Sequence, residues 1–110
     1  MIKKSKSKTE KTLFIDTSNN KKIILALDKK RKIIEGEKKD KSLLNNINLF
    51  LKEEGVGLDS LGQIKIDPGP GSFTGLRVGF SVANLWGWYF GVPVNSLMIS
   101  QKQVALPDYE

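Results

Sequence analysis

The sequence predicts an α/β fold, a mixed sheet with element order βββαβαβ, from three observations. Three short apolar runs crowd into the first 36 residues. Two later stretches repeat apolar residues at three-and-four spacing, and a strand-like run feeds directly into a glycine-rich turn. With 110 residues, 39% hydrophobic and 27% charged, the chain has apolar material for one modest core and not for two.

Thr12 to Ile15 is predicted as a short buried strand, stopped by the turn cluster Asp16-Thr17-Ser18-Asn19-Asn20. Lys22 to Leu27 (KIILAL) is the second strand, and Lys32 to Gly36 the third, after the charged turn Asp28-Lys29-Lys30-Arg31. Such close spacing implies an antiparallel meander, because a parallel pair needs a long crossover. Basic residues on the third strand would guard an edge. A helix follows, capped by Asp40 or Ser42, with Leu43, Leu44, Ile47, Phe50 and Leu51 on its apolar stripe and Gly55 at its end. Gln63 to Asp67 is the fourth strand, Gly75 to Phe90 a second helix ended by Gly91 and Pro93, and Val92 to Leu97 a fifth strand. The expected organisation is an arm over residues 1–11, a domain over 12–100 and an irregular tail over 101–110.

Charge is unevenly spread. Residues 1–41 hold 14 basic and 6 acidic side chains, residues 42–110 hold 4 and 6, and the total is a formal +6. The opening MIKKSKSKTEK has almost no apolar content and is expected to be a disordered, solvated arm. The alternative is a counter-ion for phosphates, although no aromatic residue interleaves its lysines to stack on bases. Its flanking apolar run is too short for a signal peptide, so a cytoplasmic chain is expected. The absence of Cys and His excludes disulfides, thiolate or imidazole metal ligands and the usual imidazole base.

The most informative stretch is the glycine-rich loop: Gly69, Pro70, Gly71, Ser72, Phe73, Thr74, Gly75 and Arg77, preceded by Asp67-Pro68. Ser72 and Thr74 are candidate caps of the second helix, whose N-terminus is a fair anion site. The loop is not a Walker A motif, since Leu76 and Arg77 stand where Lys and Ser/Thr are needed. Nor is it a dinucleotide fingerprint, since Thr74 stands where that motif needs glycine. A structural turn is the stronger reading.

GPGSFTGLRVG, together with FIDTS, KIILAL, SLLNNINLFLKEEG and GVPVNSL in register, resembles the TsaB (YeaZ) family over about Leu13 to Leu97, its N-terminal domain. The resemblance implies a single ribonuclease-H-like lobe of the actin-like ATPase superfamily. It also implies a part in forming N6-threonylcarbamoyladenosine at position 37 of tRNAs reading codons that start with A. In that system the family is a non-catalytic subunit beside a TsaD-like paralogue and a TsaE-like ATPase, reaching tRNA through the complex. Homodimers are a further partner option. No intrinsic cofactor is implied, and ATP or ADP is placed only at the partner interface.

In actin-like ATPases an acidic residue at the first strand turn holds metal and water, and Asp16 occupies that place, with Thr17 and Ser18 beside it. The competing reading makes Asp16 a turn cap. Without metal-binding histidines or a second lobe, the chain is expected to be no enzyme. The resemblance implies association through the two helices instead, at Leu43, Ile47, Phe50, Leu51, Leu76, Gly79, Phe80, Ala83 and Gly87. On the second helix, Leu76, Phe80, Ala83 and Phe90 form one apolar side and Val78, Val82, Leu85 and Tyr89 another. Small residues recur every fourth position from Gly75 to Gly91, and such a stripe serves either a partner helix or the chain's own sheet. Two rival readings are a basic RNA-binding module and a membrane-anchored protein. The second rests on the uncharged run Val78–Gln101, which Gly91, Pro93, Asn84 and Asn95 interrupt.

Overall fold

The computed structural model describes residues 11–36, 42–57, 60–100 and 103–108. Strands β1 (Lys11–Asp16), β2 (Lys22–Leu27) and β3 (Lys30–Glu35) form the meander that the spacing predicts. Helix α1 (Leu43–Glu53) then carries the chain to β4 (Leu61–Ile66), which leads into α2 (Phe73–Phe90). The strand order is β3-β2-β1-β4, with β1–β2 and β2–β3 antiparallel and β1–β4 parallel.

Alternation along the strands fixes the layers. Leu13, Ile15, Ile23, Leu25, Leu27, Ile34, Ile64 and Ile66 point to one side, where they meet the inward stripes of both helices in one buried cluster. The stripe of α1 is Leu43, Ile47, Phe50 and Leu51; that of α2 is Leu76, Phe80, Ala83, Trp86 and Phe90. The protein is therefore two layers thick, with extents of 36 × 34 × 20 Å. Among the described residues, no helix is long and apolar enough to cross a membrane.

The helix ends follow local chemistry. Ser42 Oγ accepts from Asn45 N–H at 3.1 Å, while Asp40 lies outside the described residues. Ser72 Oγ accepts from Gly75 N–H at 3.2 Å, so α2 starts at Phe73 and Thr74 lies inside its first turn rather than capping it. Phe73, Thr74, Gly75 and Arg77 are accordingly helical. Gly91, at φ +69°, closes α2 in the left-handed conformation, its N–H donating to Gly87 O.

The predicted fifth strand shrinks to one parallel bridge, Val94 to Ile64. Asn95 and Ser96 take φ +50° and +69°, which turns the chain back so that Leu97 pairs with Val94. The Asn95 carboxamide stands in for the missing backbone. It donates to Ile66 O at 2.9 Å and accepts from Ile66 N–H at 2.8 Å. Turn-forming Asn-Ser thus overrides the apolar run.

The tail is irregular but anchored. Ala105 is buried and exchanges two 2.9 Å bonds with the Asn84 side chain, and Asp108 N–H donates to Pro68 O at 2.6 Å. Lys11 belongs to β1 rather than to the arm; residues 1–10 lie outside the described residues.

Candidate functional site at the strand ends and the helix face

β1 and β4 run parallel and end side by side, so the Asp16 turn and the glycine-rich loop meet at one end of the sheet. Asp16 Oδ1 accepts from Ser18 N–H at 2.9 Å and from Ser18 Oγ–H at 2.6 Å, which makes it a turn cap. Asp67 does the same for its own turn, accepting from Gly69 N–H at 2.9 Å. The two segments are tied directly: Ser72 N–H donates to Ser18 O at 2.6 Å.

Three glycines make this approach possible. A Cβ on Gly71 would strike Ser18 O, one on Gly75 would strike Thr17 O, and one on Gly79 would strike Thr17 Oγ1 and lie 2.9 Å from Ile66 Cδ1. The space that glycine leaves open is filled by the chain's own turn. Thr17 is buried, and its Oγ1 has no hydrogen-bond partner.

Beside this junction lies a cavity of about 510 Å³ lined by Thr17, Asn19, Asn20, Ile23, Ser42, Leu43, Ser72, Thr74, Gly75 and Val78. Among the described residues, its walls are hydroxyls, carboxamides and aliphatic groups, with no charged side chain. The Arg77 guanidinium is instead over the Phe73 ring, 5.7 Å from its centroid. Among the described residues that line the cavity there is no cation, and the chain's own turn fills the space beside Gly71, Gly75 and Gly79. Among the described residues, no group of three or more acidic, His or Cys side chains is placed to hold a metal.

The nine helix residues expected at a partner interface all face inward. Leu43, Ile47, Phe50, Leu51, Leu76, Phe80 and Ala83 are at most 5% exposed and belong to the core. Gly79 abuts Thr17, and a Cβ on Gly87 would strike Val94 Cγ2. The small-residue stripe therefore serves the chain's own packing. The other apolar side of α2 is the one left open: Val78, Leu85, Trp88 and Tyr89 are exposed, as are Leu44 and Leu49 of α1. Leu44, Leu85 and Tyr89 line a shallow groove of about 320 Å³ between the two helices, together with Asn48, Trp86 and Phe90. The sequence signal was the two-sided apolar pattern of α2; which side turned outward depended on the sheet. Trp88 and Leu49 were not singled out from sequence.

The chain as a whole is similar to known proteins. The family described as TsaD, tRNA N6-adenosine threonylcarbamoyltransferase, matches residues 35–103. Among solved structures, YeaZ from Pseudomonas aeruginosa is 26% identical with a TM-score of 0.63, covering 77% of this chain and 42% of its own. A second, described as an uncharacterized protein with similarity to peptidase YEAZ from Pseudomonas aeruginosa, is also 26% identical with a TM-score of 0.63. That match covers 83% of this chain and 43% of its own. The chain therefore spans less than half the length of these two structures. No curated protein matches.

Proposed function

The chain belongs to the TsaD family, with YeaZ (TsaB) proteins as its structural kin, and from that premise we propose that it is a non-catalytic subunit in tRNA threonylcarbamoyladenosine formation. It acts by docking a TsaD-like catalytic partner on the outer face of α1 and α2. A TsaE-like ATPase and tRNA join through the assembled complex, in the cytoplasm. The observation that carries this reading is the apolar helix face, on which Leu85, Trp88 and Tyr89 are 57%, 51% and 48% exposed. Patches of this kind on a folded lobe mark association surfaces. The strand-end site supports the non-catalytic part, because Asp16 and Asp67 cap their own turns and no charged side chain lines the cavity among the described residues.

The test is co-purification of the chain with a TsaD-like protein from the same cell, followed by a tRNA modification assay. Leu85→Asp with Trp88→Ala is expected to abolish co-purification and modification while the chain stays folded. Asp16→Asn keeps a side-chain acceptor for the Ser18 turn and is expected to leave modification intact in the assembled complex. Loss of modification by Asp16→Asn with the complex preserved would overturn the non-catalytic assignment. Retained co-purification by the Leu85/Trp88 variant would overturn the helix-face assignment.

A further inference from the structure

Residues 103–108 run beside α2, outside the four-stranded sheet, and are tied at both ends. At the start, Ser100 N–H donates to Gln103 O at 2.9 Å and Gln103 N–H to Ser100 O at 3.2 Å. Ala105 is buried, and its backbone is matched to the Asn84 carboxamide: Nδ2–H donates to Ala105 O and Oδ1 accepts from Ala105 N–H, both at 2.9 Å. At the far end, Asp108 N–H donates to Pro68 O at 2.6 Å. Asn84 lies in the middle of α2, and Pro68 lies in the turn that opens the glycine-rich loop. A short segment thus joins the helix to the loop that leads into it.

Spacing leaves this segment little slack. From Ala105 to Asp108 the chain reaches at most about 11 Å when fully extended, and from Asn84 back to Leu76 the helix rises about 12 Å. The segment does end near Leu76: a Cβ on Gly69 would lie 2.8 Å from Leu76 Cδ1 and 2.9 Å from Asp108 O. Gly69, at φ +89°, therefore fills the corner where segment, loop and helix meet. Pro107 fixes its own φ and holds Leu106 extended, which stiffens the span. Each end adjoins a feature already described. Asn84 shares a groove of about 250 Å³ with Leu85, Trp88, Ile99, Ser100 and Val104. Beyond Pro68 the loop carries Ser72, whose N–H donates to Ser18 O and which lines the strand-end cavity.

We propose that residues 103–108 are a taut strap with Asn84 as its latch, a conformational device that couples the middle of α2 to the glycine-rich loop. Latched, the strap holds the Pro68–Gly71 turn against the Ser18 turn and so fixes one wall of the strand-end cavity. Unlatched, it lets the loop loosen where Ser72 meets Ser18. The latch is all-or-none, because both bonds join the same two residues and form or break together. The strap is also the kind of segment that opens below global unfolding. Gln103, Val104, Leu106 and Asp108 are exposed, and Ala105 alone among its described residues is buried. The device works within the chain, so it goes beyond the proposed function and does not rest on it.

The test is native-state amide hydrogen exchange on the 110-residue protein. Asn84→Ala removes both latch bonds. Exchange at Ala105, Asp108, Gly69 and Ser72 is expected to speed up by about tenfold or more, with the β2–β3 ladder unchanged. Asp108, Gly69 and Ser72 keep their own acceptors in that variant (Pro68 O, Asp67 Oδ1 and Ser18 O), so their response reports coupling rather than a lost bond. Coupling is reciprocal. Asp67→Ala, which frees Gly69 N–H at the loop, should therefore speed exchange at Asp108 and Ala105. In the unaltered protein, low urea should bring Ala105, Asp108 and Ser72 to one common opening below that of the ladder, a readout that stands even if a variant does not fold. A rise confined to Ala105, or one of equal size across the ladder, would overturn the proposal. So would an Asp67→Ala protein with Ala105 and Asp108 unmoved, or separate openings of the three amides in the unaltered chain.

Discussion

At the scale of single residues, the close approach of Thr17 to Gly79 separates packing from association. A small residue on a helix can admit a partner helix or the chain's own turn, and here Thr17 Oγ1 occupies the space. Gly79→Ala gains about 1 kcal/mol of helix propensity but drives a methyl group into a buried junction, a strain of about 1–3 kcal/mol. Net destabilisation in urea unfolding is the expected outcome, with partner binding weakened only through the loss of fold. Thr17→Ala in the same chain should recover most of the difference, since the hydroxyl it removes has no hydrogen bond to lose. A Gly79→Ala protein as stable as the parent would sink this account. The two loop hydroxyls divide likewise. Ser72→Ala should cost about 1 kcal/mol by removing the cap, and Thr74→Ala clearly less, because Ser72 is the residue that binds Gly75 N–H.

At the scale of elements, what local patterns determine was legible and what depends on neighbours was not. KIILAL is strand β2 at the residues expected, and the three-and-four spacing placed both helices. The Asp16 cap was readable because Asp followed by Thr-Ser encodes a turn through its own side chain. The outward side of α2 was not readable, because Leu76, Phe80 and Ala83 on one side and Val78, Leu85 and Tyr89 on the other are equally apolar. Only the sheet decides which side is buried. The fifth strand failed for a different reason: Asn95 and Ser96 adopt left-handed φ, and a side chain completes the ladder. Asn95→Ala removes both bonds to Ile66 and places a Cβ residue without a local hydrogen bond at positive φ. A destabilisation of about 2–3 kcal/mol is expected in chemical denaturation. Asn95→Gly should be milder, since glycine takes that backbone conformation freely. Equal effects of the two substitutions would show that the carboxamide alone matters.

At the scale of the whole molecule, the charge asymmetry is the sequence feature that the described structure leaves open. The formal charge of +6 includes four lysines and one glutamate in residues 1–10, and removing that segment leaves +3. The deletion must stop at residue 10, because Lys11 opens β1 and its Nζ lies 3.6 Å from Asp28 Oδ2. If these lysines neutralise tRNA phosphates, the affinity of the assembled complex for tRNA will fall. Its dependence on salt will also become shallower, by about one unit of log–log slope for each phosphate that the arm had neutralised. If they only keep the chain soluble, both quantities will stay where they were. The expected outcome is the second, for two reasons. No aromatic residue stands among these lysines to hold a base. They also precede Lys11, the first residue of strand β1. Binding measured across a salt series for the full chain and the shortened one, each in complex with the proposed TsaD-like partner, decides the matter. Parallel lines make the arm a solvating segment, and a shallower line for the shortened chain makes it part of the tRNA surface.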